Sequence, residues 1–160
     1  MKKIMFVCLG NICRSPVAEA VFNHLVDEMG LSKKYTADSS GTSAYHIGAD
    51  PDPRMQVTAE KNGVPMDHQA QQFKKEHYDQ FDIIFAMDSA NYDDILKLTQ
   101  NHKLRKKVHM LRDFDLKAIS KPADVPDPYY RGGMGAFDEV YDIVDRSCRE
   151  VIKQLEAKAL

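Results

Sequence analysis

Tryptophan is absent from this 160-residue chain, cysteine occurs only three times, and the formal net charge is only −2. Each scarcity closes off a class of protein. A small, odd number of thiols does not make the disulfide framework of a secreted protein, so a reducing, cytoplasmic setting is expected. Near balance between 22 basic and 24 acidic side chains predicts no general attraction to nucleic acid or to an anionic membrane. No apolar stretch approaches the roughly 20 residues that a membrane-spanning helix needs. Lys2 and Lys3 ahead of an apolar run imitate a secretion signal. That run ends at Leu9 without a small-residue cleavage site and reads as a first strand. His24, His46, His77, His102 and His109 show no metal-ligand spacing, and neither a metal nor an organic cofactor is expected. With 43% apolar residues and no repeat, low-complexity tract or linker, residues 1–160 are expected to form a single domain.

What the chain does have is Cys8-Leu-Gly-Asn-Ile-Cys-Arg14-Ser15. A thiol and a guanidinium stand at the two ends of one short loop. Ahead of it, Ile4 to Val7 is a continuous apolar run, the pattern of a buried strand. Behind it, Ser15 occupies a helix N-cap position and Pro16 the first helical position. Val17, Val21, Leu25 and Met29 follow at helical spacing, and Gly30 supplies a stop. The loop therefore joins a strand's C-terminal end to a helix N-terminus, where backbone donors and the helix dipole favour an anion. Gly10 and Asn11 are the residue types that best tolerate left-handed backbone. Such a loop suits phosphoryl transfer to sulfur.

Further along, Tyr35–Ser40 reads as a second strand, and Asp52-Pro53 opens a helix to about Asn62-Gly63. A short strand is expected near Met66–Gln69. Asp82–Met87 is an apolar central strand, Asp88-Ser89 caps a helix to about Thr99, and Lys107–Leu111 is a last strand. Ile119–Gly135 is irregular and long enough to be a functional loop. An amphipathic helix from Phe137 to Leu155 closes the chain and places Cys148 on its apolar stripe. This alternation predicts an α/β, doubly wound, three-layer αβα fold with a central, mostly four-stranded parallel sheet. The phosphate-binding loop after the first strand lies where such folds bind ligands.

The stretch Phe6-Val-Cys-Leu-Gly-Asn-Ile-Cys-Arg-Ser-Pro16 resembles the signature of the low-molecular-weight protein tyrosine phosphatases. Asp50-Pro-Asp-Pro-Arg54 and Asp127-Pro-Tyr-Tyr130 extend the resemblance over nearly the whole chain, in the family's order. It implies a cysteine-dependent enzyme that hydrolyses phosphotyrosine in proteins, and small aryl phosphates, through a phosphocysteine. Inorganic phosphate is then the product.

Residue chemistry agrees with that expectation. N–H groups, the helix N-terminus and Arg14 all favour a Cys8 thiolate, and Ser15 can donate a hydrogen bond to the sulfur. The backbone from Leu9 through Gly10, Asn11 and Ile12 to Cys13 would ring the phosphoryl oxygens. Arg14 would grip two of them through its planar fork. The resemblance at Asp127-Pro-Tyr-Tyr130 implies that Asp127, between Pro126 and Pro128, would be the general acid for the leaving oxygen and then the base for water. Tyr129 and Tyr130 would wall an aromatic slot. Tyr45 would face them, where many relatives carry another aromatic, often tryptophan. The resemblance also implies a network holding Asn11 through Ser39 and His68, and a protective Cys8–Cys13 disulfide that switches activity reversibly. Arsenate reductases share such loops but need an additional resolving pair of cysteines, and only Cys148 is left. The chain also resembles the protein-arginine phosphatases, which carry threonine where Ile12 stands; the apolar Ile12 favours an aryl phosphate and leaves phosphoarginine as the alternative substrate. A non-catalytic phosphotyrosine-binding module would lack the nucleophile or the acid, and both are present.

Overall fold

The structure, a computed structural model, is described for residues 1–130 and 133–160. In chain order the elements are β1 (Lys2–Cys8), α1 (Arg14–Glu28), β2 (Tyr35–Gly41), α2 (Pro53–Lys61), α3 (His77–Gln80), β3 (Ile83–Ala86), α4 (Ser89–Leu96), α5 (His102–Arg105), β4 (Val108–Met110), a 3-10 turn (Leu111–Phe114) and α6 (Met134–Glu156). The strands form one four-stranded sheet in the order β2-β1-β3-β4, with every pairing parallel. The expected α/β architecture and parallel sheet are what is found.

β1 is central because its side chains are apolar on both faces. Ile4 and Phe6 enter one buried cluster with residues of α1 and α6, including Val17, Phe22, Val144 and Cys148. Met5 and Val7 point the other way, into a second cluster with Tyr78, Ile84 and Ile95. Strand alternation thus feeds a helical layer on each side. Phe6 sits 5.6 Å from the Phe85 ring and 5.9 Å from that of Phe22, tying sheet to helix.

From β1 the chain passes to β2 on one side and to β3 on the other. The crevice opened by that reversal lies beyond the strand C-termini. Cys8 ends β1, and Asp88 stands two residues past β3.

Three local expectations need correction. Helix α1 starts at Arg14 with Cys13 at its cap position and no side-chain cap bond. Ser15 lies inside the first turn, its hydroxyl directed to the Cys8 sulfur instead. The segment Met66–Gln69 is not a strand. Pro65 cannot donate to a ladder, and the segment's neighbours bond sideways instead: Gly48 N–H donates to Ala70 O at 2.8 Å, and Gln71 N–H to Asn11 Oδ1 at 2.9 Å. Only an isolated bridge, Gly41 with Gln72, forms there. Finally, α4 ends at Leu96 rather than near Thr99, and the short helices α3 and α5 lie within stretches that carry no long apolar period.

Candidate active site

The loop from Cys8 to Arg14 is held by its carbonyl groups. Cys8 O accepts from Thr42 N (2.8 Å), Leu9 O from Ser43 N (3.0 Å) and Ser43 Oγ (2.9 Å), and Ile12 O from Asp52 N (2.8 Å). In a planar trans peptide the next N–H points opposite its carbonyl. Carbonyls tied outward therefore turn the N–H groups of Leu9, Gly10 and Cys13 inward. Gly41, at the end of β2, permits this wrapping, since a Cβ there would meet Leu9 O at 2.6 Å.

Cys8 is buried at the floor, 3% exposed. Its Sγ lies 2.9 Å from Ser15 Oγ, and Asn11 N–H donates to it at 3.3 Å. Asn11 does adopt left-handed backbone, with φ 57°. Gly10 does not, so that expectation is corrected. Its missing side chain makes room for His46, whose Cδ2 would lie 3.0 Å from a Cβ at that position.

Behind the loop, Asn11 is fixed from both ends of its amide. Nδ2 donates to Ser15 Oγ (2.8 Å) and Ser39 Oγ (3.0 Å), and Oδ1 meets His68 Nε2 at 2.7 Å. Ser39 and His68 are thus brought together with Asn11, behind the cleft rather than in its lining. Glu19 completes the cluster, accepting from Ser39 Oγ at 2.8 Å and lying 3.0 Å from His68 Nδ1. Burial works against a charged His68, but the Glu19 carboxylate, with Asp38 and Asp67, overcomes it and raises the imidazole above its ordinary value.

Arg14 is also buried. Its Nη1 donates to Asp88 Oδ2 at 2.6 Å and to Val125 O at 3.0 Å, and Nη2 to Asp127 Oδ2 at 3.5 Å. Burial opposes its charge, yet the neighbouring Cys8 sulfur, Asp88 and Asp127 outweigh it and raise its pKa above the ordinary value. Asp127 Oδ1 accepts from Tyr129 N at 3.0 Å, which sets the carboxylate over the loop. Burial pushes the Cys13 thiol far up, and the Asp52 carboxylate, Cys8 and Asp127 add to the effect. Cys148 is likewise raised by burial and stays in the core.

One cleft is lined by Cys8, Leu9, Gly10, Ile12, Cys13, Arg14, Tyr45, Asp127, Tyr129 and Tyr130, together with His46. Of the residues expected at the loop and its walls, these share one cleft, whereas Asn11 and Ser15 are buried outside its lining, Asn11 turned back to Ser39 and His68 and Ser15 against the Cys8 sulfur. Tyr129 and Tyr130 pack edge to face at 4.9 Å, while Tyr45 stands 79% exposed at the mouth. Asp88, Glu19, Gly41, His46 and Arg54 were not expected at the site from the sequence. Asp88 had a visible signal as a helix cap, and it does cap α4 through Asn91 N (2.8 Å) while its second oxygen anchors Arg14. Arg54, bound to Asp52, lies 5.5 Å from the centre of the Tyr129 ring and 4.7 Å from that of Phe137. It braces the tyrosine wall by a cation–π contact.

A parallel sheet whose first strand ends in a cysteine, with an arginine six residues on, a ring of inward N–H groups and an aspartate above, defines a phosphatase of the cysteine-dependent class. Comparison with known proteins agrees. Residues 3–160 match the family model described as low molecular weight phosphotyrosine protein phosphatase. The human low molecular weight phosphotyrosine protein phosphatase is 41% identical over 96% of this chain and 95% of its own length. The crystal structure of a protein tyrosine phosphatase from Entamoeba histolytica, with Hepes in its active site, superposes with a TM-score of 0.93 at 39% identity, covering 100% of both chains. A Drosophila arginine phosphatase structure gives a TM-score of 0.89 at 29% identity over 98% of each chain. The chain belongs to the low molecular weight phosphotyrosine protein phosphatase family. It is a cysteine-dependent protein-tyrosine phosphatase, a hydrolase. Among the described residues, no helix is long and apolar enough to cross a membrane.

Proposed function

We propose that Cys8 is the nucleophile and Asp127 the general acid–base in hydrolysis of phosphotyrosine in proteins and of small aryl phosphates. The Cys8 sulfur attacks phosphorus in line, and the phosphorus–oxygen bond to the phenol breaks. Asp127 delivers its proton to the leaving oxygen. Water then attacks the phosphocysteine, Asp127 takes a proton from it, and inorganic phosphate leaves. Arg14, anchored through Nη1 by Asp88, offers the remaining edge of its fork to two phosphoryl oxygens. Inward N–H groups serve the rest, so charge spread over the phosphoryl oxygens in a loose transition state is met by fixed donors. Ser15 steadies the sulfur before attack and after departure.

The observation that carries this assignment is one buried sulfur meeting a hydroxyl, a backbone N–H and a helix start at the bottom of a cleft whose mouth holds a carboxylate. Tyr129 and Tyr130 give the slot depth for an aryl group, which phosphoserine cannot span. Likeness to the Drosophila arginine phosphatase supports phosphoarginine as the alternative substrate, whereas apolar Ile12 in the cleft favours an aryl ester. Turnover of phosphotyrosine should exceed that of phosphoarginine, and the reverse ranking would exchange the two readings. The same proposal takes in a reversible Cys8–Cys13 disulfide and a cytoplasmic setting. It treats residues 1–160 as one catalytic unit.

A further inference from the structure

We propose that Glu19, Asp38 and His68 form a divalent transition-metal site, suited to Zn²⁺, that braces the phosphate loop from behind. The three ligands come from α1, β2 and the segment after α2, far apart in sequence, so no spacing motif announces them. His68 Nδ1 lies 3.0 Å from Glu19 Oε1 and 3.8 Å from Asp38 Oδ1, and the three ligand atoms fall within 4.8 Å of one another. Tetrahedral zinc with bonds near 2.1 Å separates its ligand atoms by roughly 3.4 Å. The two measured separations bracket that value.

An independent feature points to a ligated imidazole: its outer partners are already in place. A metal-binding histidine generally donates its other ring N–H to an acceptor, which fixes tautomer and ring orientation. Here His68 Nε2 meets Asn11 Oδ1 at 2.7 Å, which presents Nδ1 to the carboxylates. Ser39 Oγ donates to Glu19 Oε1 at 2.8 Å, and Ser39 N–H to Asp38 Oδ1 at 2.8 Å, so both carboxylates are oriented as well. The imidazole side chain is 9% exposed and that of Glu19 14%, whereas that of Asp38 is 45% exposed and opens an entry path from solvent. One imidazole and two carboxylates neutralise a dication and suit zinc over calcium or magnesium, which prefer all-oxygen shells. The ion would replace the Nδ1 proton, keep Nε2–H donating to Asn11, and stiffen the loop without touching phosphate or sulfur.

The site is independent of the catalytic assignment and is tested without turnover. Cys8→Ser removes the thiol that would compete for zinc. Isothermal titration of that protein with Zn²⁺ near neutral pH should show about one bound ion per chain. Adding Asp38→Asn or Glu19→Gln should weaken binding at least about tenfold. In two-bond proton–nitrogen spectra the His68 Nδ1 resonance should move on zinc addition while Nε2 stays protonated. If Glu19→Gln fails to fold, the half-exposed Asp38→Asn variant and the His68 resonance decide. Absence of binding, binding untouched by Asp38→Asn, or a His68 signal that does not move would overturn the proposal.

Discussion

Arg14 shows how closely single side chains share the work of this site. A guanidinium buried beside a helix start would be poorly placed without compensation, because the dipole there opposes a cation. Asp88 at 2.6 Å and Val125 O at 3.0 Å supply it, and they also fix which edge of the fork faces the loop. Lysine carries the charge without the fork. Arg14→Lys should therefore lower kcat by about 10²–10³-fold, the scale of losing one preorganised donor, and steady-state kinetics on an aryl phosphate will measure it. Asp88→Asn should cost about 1.5–3 kcal/mol of stability, as expected for a hydrogen bond to a charged group, read by denaturant unfolding. Asp127 is tested through the leaving group. Asp127→Asn should lower kcat by about 10²–10⁴-fold on an aryl ester whose phenolate is a poor leaving group, the scale of general acid–base catalysis, and by much less where the phenolate leaves without a proton. A variant that turns over both esters as fast as the wild type would remove the residue from its role.

At the scale of elements, the loop's shape depends on what β2 places against it. Gly41 lies where a Cβ would come within 2.6 Å of Leu9 O and 3.1 Å of Asn11 N. Gly41→Ala should displace the loop, destabilise by about 1–3 kcal/mol as overpacking does, and depress kcat more than it alters KM. Thermal unfolding and kinetics together separate those effects. Much of the element pattern was legible in sequence. The apolar run Ile4–Val7 and the stripe from Phe137 to Leu155 are local periodicities, and local periodicity is what a sequence displays directly. The failures share a cause. Ser15 reads as a cap by position, but the sulfur three-dimensionally beside it captures the hydroxyl. Met66–Gln69 reads as a strand, but its neighbours' backbone is spent on residues 48–49 and on Asn11.

Over the whole molecule, the same distinction governs the site. Cys8, Arg14 and Ser15 were legible because they fall within one short motif, and Asp127 because Asp127-Pro-Tyr-Tyr130 resembles a family motif; its prolines alone mark only a turn. Glu19 and Gly41 were not, and Asp88 was legible only as the cap of α4, because their roles at the site run through partners distant along the chain. A comparable long-range tie holds the last helix. Asp115 accepts from Arg146 Nε and Nη2 at 3.0 and 3.1 Å and from Arg112 Nε at 3.3 Å, joining the 3-10 turn's end to α6. Burial raises the Asp115 pKa, but these arginines and the Lys117 N–H outweigh it, so the carboxyl is held below its ordinary 3.8. A lowered folded value means stabilisation present in full above 3.8 and lost as pH falls through the depressed value. Asp115→Asn should flatten that acid limb of stability, measured as melting temperature against pH.

The most direct test of the account is rapid-quench mass spectrometry during steady turnover of an aryl phosphate. It predicts an added mass of about 80 Da on the peptide bearing Cys8, the increment of a phosphoryl group on the nucleophile. That adduct should be absent in Cys8→Ser and should persist longer in Asp127→Asn. Full turnover with no such mass at Cys8, or the mass at another residue, would contradict it.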